Sequence, residues 1–177
     1  YPDAAELARG VHDLVMARGG YGRRGGQFPC IPVSDGAGVV VATGRKVTRV
    51  KVGDLVCPNF AQTWIDGAFH DDVWAGMLGG YHDGVLQQFM RLPEHGVVKA
   101  APHLSAAAAA TLPCAALTAW SAIVGGQVKP GDTVLTQGTG GVSLFALQFA
   151  KLFGARVIIT SSSDEKLRRA AAMGADE

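Results

Sequence analysis

The sequence predicts an α/β fold in two parts: a β-rich first part, then a second part that opens a parallel sheet flanked by helices. Three observations carry this reading. Short β-branched runs between Gly38 and Pro58 are separated by glycines, and Lys129 to Gly174 alternates strand-like with helix-like stretches. The first of those later strands runs straight into a glycine-rich turn that opens a helix.

In the β-rich part, residues Tyr1 to Arg9 carry little pattern, and from Gly10 the chain passes into a Gly- and Arg-rich loop. Pro29 and Pro32 bracket Cys30 and favour extended backbone. Gly38–Thr43, Val47–Val50 and Leu55–Pro58 read as three short strands of a meander or small barrel. Ala61–Gly84, rich in Gly, Asp and aromatic residues, reads as a long loop. Val85–Leu92 then alternates like a strand, and His95–Ala101 reads as another. Ser105 to Val124 is a long apolar helical region broken by Pro113, across which the β-rich part hands over. The domain boundary is placed near Pro102, giving 1–103 and 104–177.

In the second part, Pro130, Gly131 and Asp132 signal a turn, and Thr133–Gln137 supply a run suited to a buried parallel strand. Gly138, Gly140 and Ser143 occupy the three positions of G-x-G-x-x-G. The first allows a tight turn, and the second lets the backbone approach a pyrophosphate. The third governs helix–strand packing, where serine predicts a slightly looser contact. Val142, Phe145, Ala146, Phe149, Leu152 and Phe153 recur at helical spacing, so one face is expected to pack on the sheet. Gly154 ends that helix, Ala155–Thr160 form the second strand, and a third begins at Gly174–Glu177. With Thr139, Gly141 and Val142 in the loop, the helix N-terminus has a physical reason to bind an anion. A dinucleotide cofactor is therefore expected, held by Gly138, Thr139, Gly140, Gly141 and Val142.

The end of the second strand bears on which one. An acidic residue about 20 positions after the first glycine would bond the ribose hydroxyls of NAD. Here stand Ser161, Ser162 and Ser163, with Lys166, Arg168 and Arg169 beyond. Hydroxyls and one cation suit a 2′-phosphate, so NADP(H) is preferred and NAD(H) stays admissible. The alternative is that Asp164 caps a helix whose cations are only a solvated face.

The formal net charge is +1 and no cations are concentrated enough to suggest a nucleic-acid partner, so none is expected, and no apolar run long enough to cross a membrane is apparent. Cys30, Cys57 and Cys114 are far apart and odd in number, which indicates neither a disulfide framework nor a CxxC metal site. A reducing cytoplasm is the expected compartment, and no signal peptide is visible. A complete dinucleotide fold needs about six strands, so the chain reads as truncated.

The order of PVSDGAGVVVATGRKVTRVKVGDLV, LPCAALTAW and KPGDTVLTQGTGGVSLFALQFAKLFGARVIITSSSDEKLRRAAAMGADE resembles the medium-chain dehydrogenase/reductase superfamily, from roughly Gly10 to the C-terminus. It looks closest to zinc-independent, quinone-oxidoreductase-like members, including those labelled alcohol dehydrogenase-like. The resemblance implies an N-terminally incomplete GroES-like β-barrel substrate domain, then the first part of a Rossmann sheet. It also implies hydride transfer between a nicotinamide, placed between the two domains, and a small-molecule carbonyl or activated C=C bond. In zinc-dependent relatives, ligands occupy positions that match Gly10 before Asp13, Ser34 with Asp35, and Cys114 with Thr118 here. One ligand of three survives, and glycine and serine cannot complete a tetrahedral site, so no zinc is expected.

The same resemblance places Cys114 and Thr118 near the cofactor, against their plainer readings as a small packed thiol and a hydroxyl bonded to its own helix. Tyr21 matches a tyrosine that acts as acid or substrate anchor in similar enoyl reductases, and packing is its plainer role. His12 stands where metal-dependent relatives carry a proton-relay hydroxyl. His70, His82, His95 and His103 read as surface or loop residues. The leading expectation is an NADP(H)-dependent oxidoreductase of quinones, enones, aldehydes or alcohols, a homodimer being admissible for the intact protein. The competing one is a truncated or degenerate non-catalytic nucleotide-binding or interaction module.

Overall fold

A computed structural model describes residues 11–22, 26 and 29–177. The chain divides into two compact units, Tyr1–Cys114 and Ala115–Glu177.

The first unit begins with helix α1 (Val11–Ala17) and contains a three-stranded antiparallel sheet in the order β1 (Gly38–Val39), β2 (Leu55–Pro58), β3 (Val97–Lys99). Val56 pairs with Gly38 on one side and with Lys99 on the other, and Val56 and Cys57 are buried. β2 has the expected bounds, whereas β1 and β3 are shorter than the sequence suggests. Val47–Val50 forms no strand, because the Glu94 carboxylate takes the N–H groups of Thr48 and Arg49 at 2.8 and 2.9 Å, where a ladder partner would stand. Nor does Val85–Leu92. Its start bonds to the 31–33 segment through Gly84 N–H to Ile31 O at 2.7 Å and Val85 N–H to Val33 O at 2.8 Å. Pro32 has no N–H to return, so the ladder cannot propagate, and Leu86 and Phe89 turn to solvent. His95–Ala101 keeps only β3, preceded by a tight 3-10 turn at Glu94–Gly96. The long loop holds one further 3-10 turn, Asp71–Gly76, closed by an Ala61–Met77 bridge.

Ser105 caps helix α2 (Ala106–Ala109), its Oγ accepting the Ala108 N–H at 3.2 Å. Pro113 sits in a wide π turn, Leu112–Ala116, before helix α3 (Leu117–Gly125). The expectation that no apolar run is long enough to cross a membrane needs correcting. Ala106–Gly125 is a 20-residue helical run that passes by length and composition. The polar backbone stays bonded around Pro113 through the widened turn. Within it, Ala119 and Ile123 belong to the core of the second unit.

That second unit is the parallel pair β4 (Thr133–Gln137) and β5 (Arg156–Thr160), with helices α4 (Gly141–Leu152) and α5 (Asp164–Ala172). Thr133 pairs with Arg156 and Gln137 with Thr160, so the C-terminal ends of both strands emerge together at the glycine loop. The buried stripe of α4 is Ala146, Leu147 and Ala150, with Phe145, Phe149 and Phe153 packed partly against it. The expected face was set slightly off: Val142 is 42% and Leu152 78% exposed, because small residues let α4 lie close to the sheet and turn those two outward. Gly154 takes φ 76°, as a helix-ending glycine should. Beyond α5 the chain runs beside β5, with Asp176 N–H to Val157 O at 2.8 Å and Ile159 N–H to Glu177 O at 2.7 Å.

Candidate functional site

In the second unit the glycine loop is built from two different requirements. Gly138 has φ 82°, a left-handed turn that a side chain would strain. Gly140 has φ −79°, which any residue adopts, and a Cβ there would meet nothing within 4 Å. Neither a positive φ nor crowding of a Cβ requires glycine at 140, which is favoured there as an N-cap. The open space at its Cβ also leaves room for an anion against the backbone. Gly140 is also the N-cap of α4 and supplies no side-chain cap, so the helix presents its first-turn N–H groups and positive dipole end without an internal acceptor. These features fit a dinucleotide pyrophosphate. Ser143 does more than loosen packing, because its hydroxyl donates to Gln137 O at 3.2 Å and ties the helix start to the end of β4.

Hydroxyls line the adjoining end of β5. Gly138 N–H donates to Thr160 Oγ1 at 3.3 Å, and the Thr139 and Ser161 hydroxyls lie 3.3 Å apart. Ser163 N–H donates to Ser161 Oγ at 3.3 Å. Ser163, not Asp164, is the N-cap of α5, its Oγ accepting the Lys166 N–H at 3.4 Å. Serine at an extended backbone position is well suited to that role, which leaves Asp164 in the first turn. Ser162 and the Lys166 side chain are exposed, as are Val142 and Thr118. Thr118 belongs to α3 in this unit, whereas Cys114, half-buried in the π turn, belongs to the first.

In the first unit His12, at the start of α1, and Tyr21, in the turn beyond its end, come together. His12 Nδ1 is 3.4 Å from the Tyr21 hydroxyl, and their rings are tilted with centroids 5.3 Å apart. Phe60 meets His12 edge-on at 5.0 Å. Burial lowers the His12 pKa, more than the Asp13 charge beside it raises it, so the ring is biased to the neutral form. Asp13 accepts the N–H of buried Ser34 at 3.1 Å. Asp35 is the residue the sequence undervalued. Its Oδ1 is buried with no partner, and burial, then the Asp13 charge, pushes its carboxyl up to about 7. The signal lay in Ser34-Asp35-Gly36, which by itself reads as an ordinary turn. Val33, just before, is held at φ 76°, a conformation that β-branched residues rarely adopt.

The positions that match zinc ligands do not fit that metal. Gly10 lies outside the described residues, Ser34 presents a hydroxyl, and only Cys114 offers a thiol. Among the described residues no group of three or more His, Cys, Asp or Glu side chains is gathered to hold an ion. His70, His82, His95 and His103 are all exposed.

The Alcohol dehydrogenase GroES-like domain family matches residues 8–102, and the Zinc-binding dehydrogenase family matches residues 141–177. A zinc-type alcohol dehydrogenase-like protein of Schizosaccharomyces pombe is 48% identical over 166 residues, covering 92% of this chain and 48% of that protein. A chloroplast envelope quinone oxidoreductase homolog of Arabidopsis thaliana is 34% identical over 158 residues, covering 85% of this chain and 42% of that protein. The crystal structure of an NAD-dependent alcohol dehydrogenase superposes with a TM-score of 0.83 at 36% identity, covering 97% of this chain and 52% of that one. The chain thus spans about half the length of the curated relatives it matches.

Proposed function

Because the chain belongs to the medium-chain alcohol dehydrogenase family, with its GroES-like and zinc-binding dehydrogenase domains in order, we propose that it carries the cofactor and acid–base residues of an NADP(H)-dependent oxidoreductase. The bound nicotinamide supplies the hydride donor or acceptor. The substrates are small carbonyl compounds, quinones, enones or the corresponding alcohols, and no catalytic zinc takes part.

The observation that carries this reading is the hydroxyl-lined end of β5, where Ser161 and Ser163 stand in place of the carboxylate that would repel a 2′-phosphate. Gly138 to Val142 would hold the pyrophosphate against the α4 N-terminus, and Lys166 would add charge to the 2′-phosphate site. One solved relative is named NAD-dependent and one curated relative zinc-type. This chain is read differently from those names on its own residues: three serines after β5, and a serine at the ligand position 34.

The neutral, half-buried His12 and the Tyr21 hydroxyl form the acid–base pair. Without a Lewis acid, a developing oxyanion needs a hydrogen-bond donor, which Tyr21 supplies while His12 exchanges the proton behind it. Thr118, in the same unit as the glycine loop, is assigned to the surroundings of the nicotinamide.

Isothermal titration of the chain with NADPH and, separately, NADH tests the reading. Tight binding with a clear NADPH preference is expected. An NADH preference would remove the assignment to Ser161–Ser163, and no binding by a folded sample would remove the cofactor assignment to this chain. Zinc added to the chain should leave its thermal melting unchanged, and a saturable stabilisation at one equivalent would refute the metal-free reading.

A further inference from the structure

We propose that Thr139 is a specificity-determining positioning residue: by donating its hydroxyl proton to Ser161 Oγ, it commits the Ser161 O–H to point outward as a donor, which favours a 2′-phosphate over a ribose 2′-hydroxyl. This rests on the NADP(H) reading above and goes beyond it, because Thr139 lies in the glycine loop and outside the serine cluster.

The argument is an accounting of protons and lone pairs. A serine hydroxyl has one proton and two acceptor positions. Ser161 Oγ already accepts the Ser163 N–H at 3.3 Å, and the Thr139 hydroxyl stands 3.3 Å away. Two polarities are open to the Thr139–Ser161 pair. If Ser161 donates to Thr139, its proton is consumed within the protein and it has little to offer an anion. If Thr139 donates, both Ser161 acceptor positions are filled and its proton must go elsewhere. An arriving phosphate oxygen, which only accepts, selects the second arrangement and gains a charge-assisted hydrogen bond.

A ribose 2′-hydroxyl both donates and accepts, so a Ser161 stripped of acceptor capacity serves it less well. Ser163 differs, since the Lys166 N–H fills one acceptor position of its Oγ and leaves the other, with its proton, for a ligand. Thr139 is suited to the task because both of its neighbours are fixed. Gly138 is tied to Thr160 Oγ1 at 3.3 Å, and Gly140 caps α4.

The test measures dissociation constants for NADPH and NADH in the wild-type chain and in Thr139→Val, Thr139→Ser, Ser161→Ala and the Thr139→Val/Ser161→Ala double variant. Thr139→Val keeps the shape and removes the proton. It should lower the NADPH-to-NADH affinity ratio, because Ser161 keeps its proton but regains an acceptor position that a ribose 2′-hydroxyl can use. Thr139→Ser should restore the ratio. In the Ser161→Ala background Thr139→Val should change the ratio no further, which a merely structural role would not produce. Equal weakening of both cofactors by Thr139→Val overturns the inference, as does an undiminished effect without Ser161. A wild-type chain that prefers NADH, or binds neither, overturns the cofactor reading and this inference together. A wild-type preference for NADPH that Thr139→Val leaves intact overturns this inference alone.

Discussion

The carboxylate of Asp13 on α1 accepts the backbone N–H of Ser34 at 3.1 Å, fastening the helix to an extended segment 21 residues away. Ser34 is only 1% exposed, so water cannot replace that acceptor. Asp13→Ala leaves a buried donor unpaired, at a cost of about 1–3 kcal/mol. Asp13→Asn keeps an oxygen in place and should recover most of the loss. Thermal unfolding of the two variants checks this; equal melting temperatures would mean that the bond does not hold the segment.

Asp35 and His12 give opposite pH dependences. Asp35 is raised from its ordinary 3.8 to about 7, so in that window the folded chain holds a proton that the unfolded chain has released. Its contribution is full below about 3.8 and is lost as pH rises through 7. Asp35→Asn should therefore be more stable than wild type at pH 8, with a flatter profile between those limits. His12 is lowered from 6.5, so its contribution is present above that value and is lost as pH falls through the folded pKa. His12→Asn should flatten the profile on the acid side of 6.5. Denaturant unfolding from pH 4 to pH 9 separates the two slopes.

Val33 carries strain that a residue tolerant of left-handed backbone would relieve. Its φ of 76° is imposed from both sides, by Leu86 N–H on Pro32 O at 3.3 Å and Val85 N–H on its own carbonyl at 2.8 Å. Val33→Asn should stabilise by about 1 kcal/mol, read as a rise of roughly 2–4 °C in melting temperature. A fall would show that the lost apolar contact outweighs the strain.

Gly140→Ala separates ligand space from fold. The added methyl meets nothing within 4 Å and the backbone needs no positive φ, so melting should fall only by what alanine loses to glycine as an N-cap, about 1 kcal/mol or less. It would stand where a pyrophosphate approaches, so NADPH affinity should fall by about tenfold or more, the loss of a close charge-assisted contact. Gly138→Ala is the contrast, since φ 82° makes that change costly without any ligand.

The second unit was legible in the sequence because its signals are local. A β-branched run, two glycines and a helical period locate β4, the loop and α4 to within a residue. The first unit was less so, because its strands depend on partners far along the chain. Val85–Leu92 alternates like a strand but meets Pro32, and Val47–Val50 loses its ladder to a side chain, Glu94. At the candidate site, residue types nominated Gly138, Gly140 and the serines, and the resemblance nominated His12 and Tyr21. The direction of a hydroxyl was beyond reach: Ser143 turning back to Gln137, or Ser163 capping α5 ahead of Asp164, depends on backbone angles. Asp35 was concealed for a similar reason, since burial without a partner is a property of the packed chain.

The strand pairings carry a consequence for the order in which the chain acquires structure. Thr133 meets Arg156 across a segment that is mostly its own helix, whereas Val56 meets Lys99 across a stretch nearly twice as long and largely irregular. Closing the shorter, prestructured span costs less chain entropy. During refolding, amide protection should therefore appear first along β4 and β5, while β2 and β3 are still searching for each other.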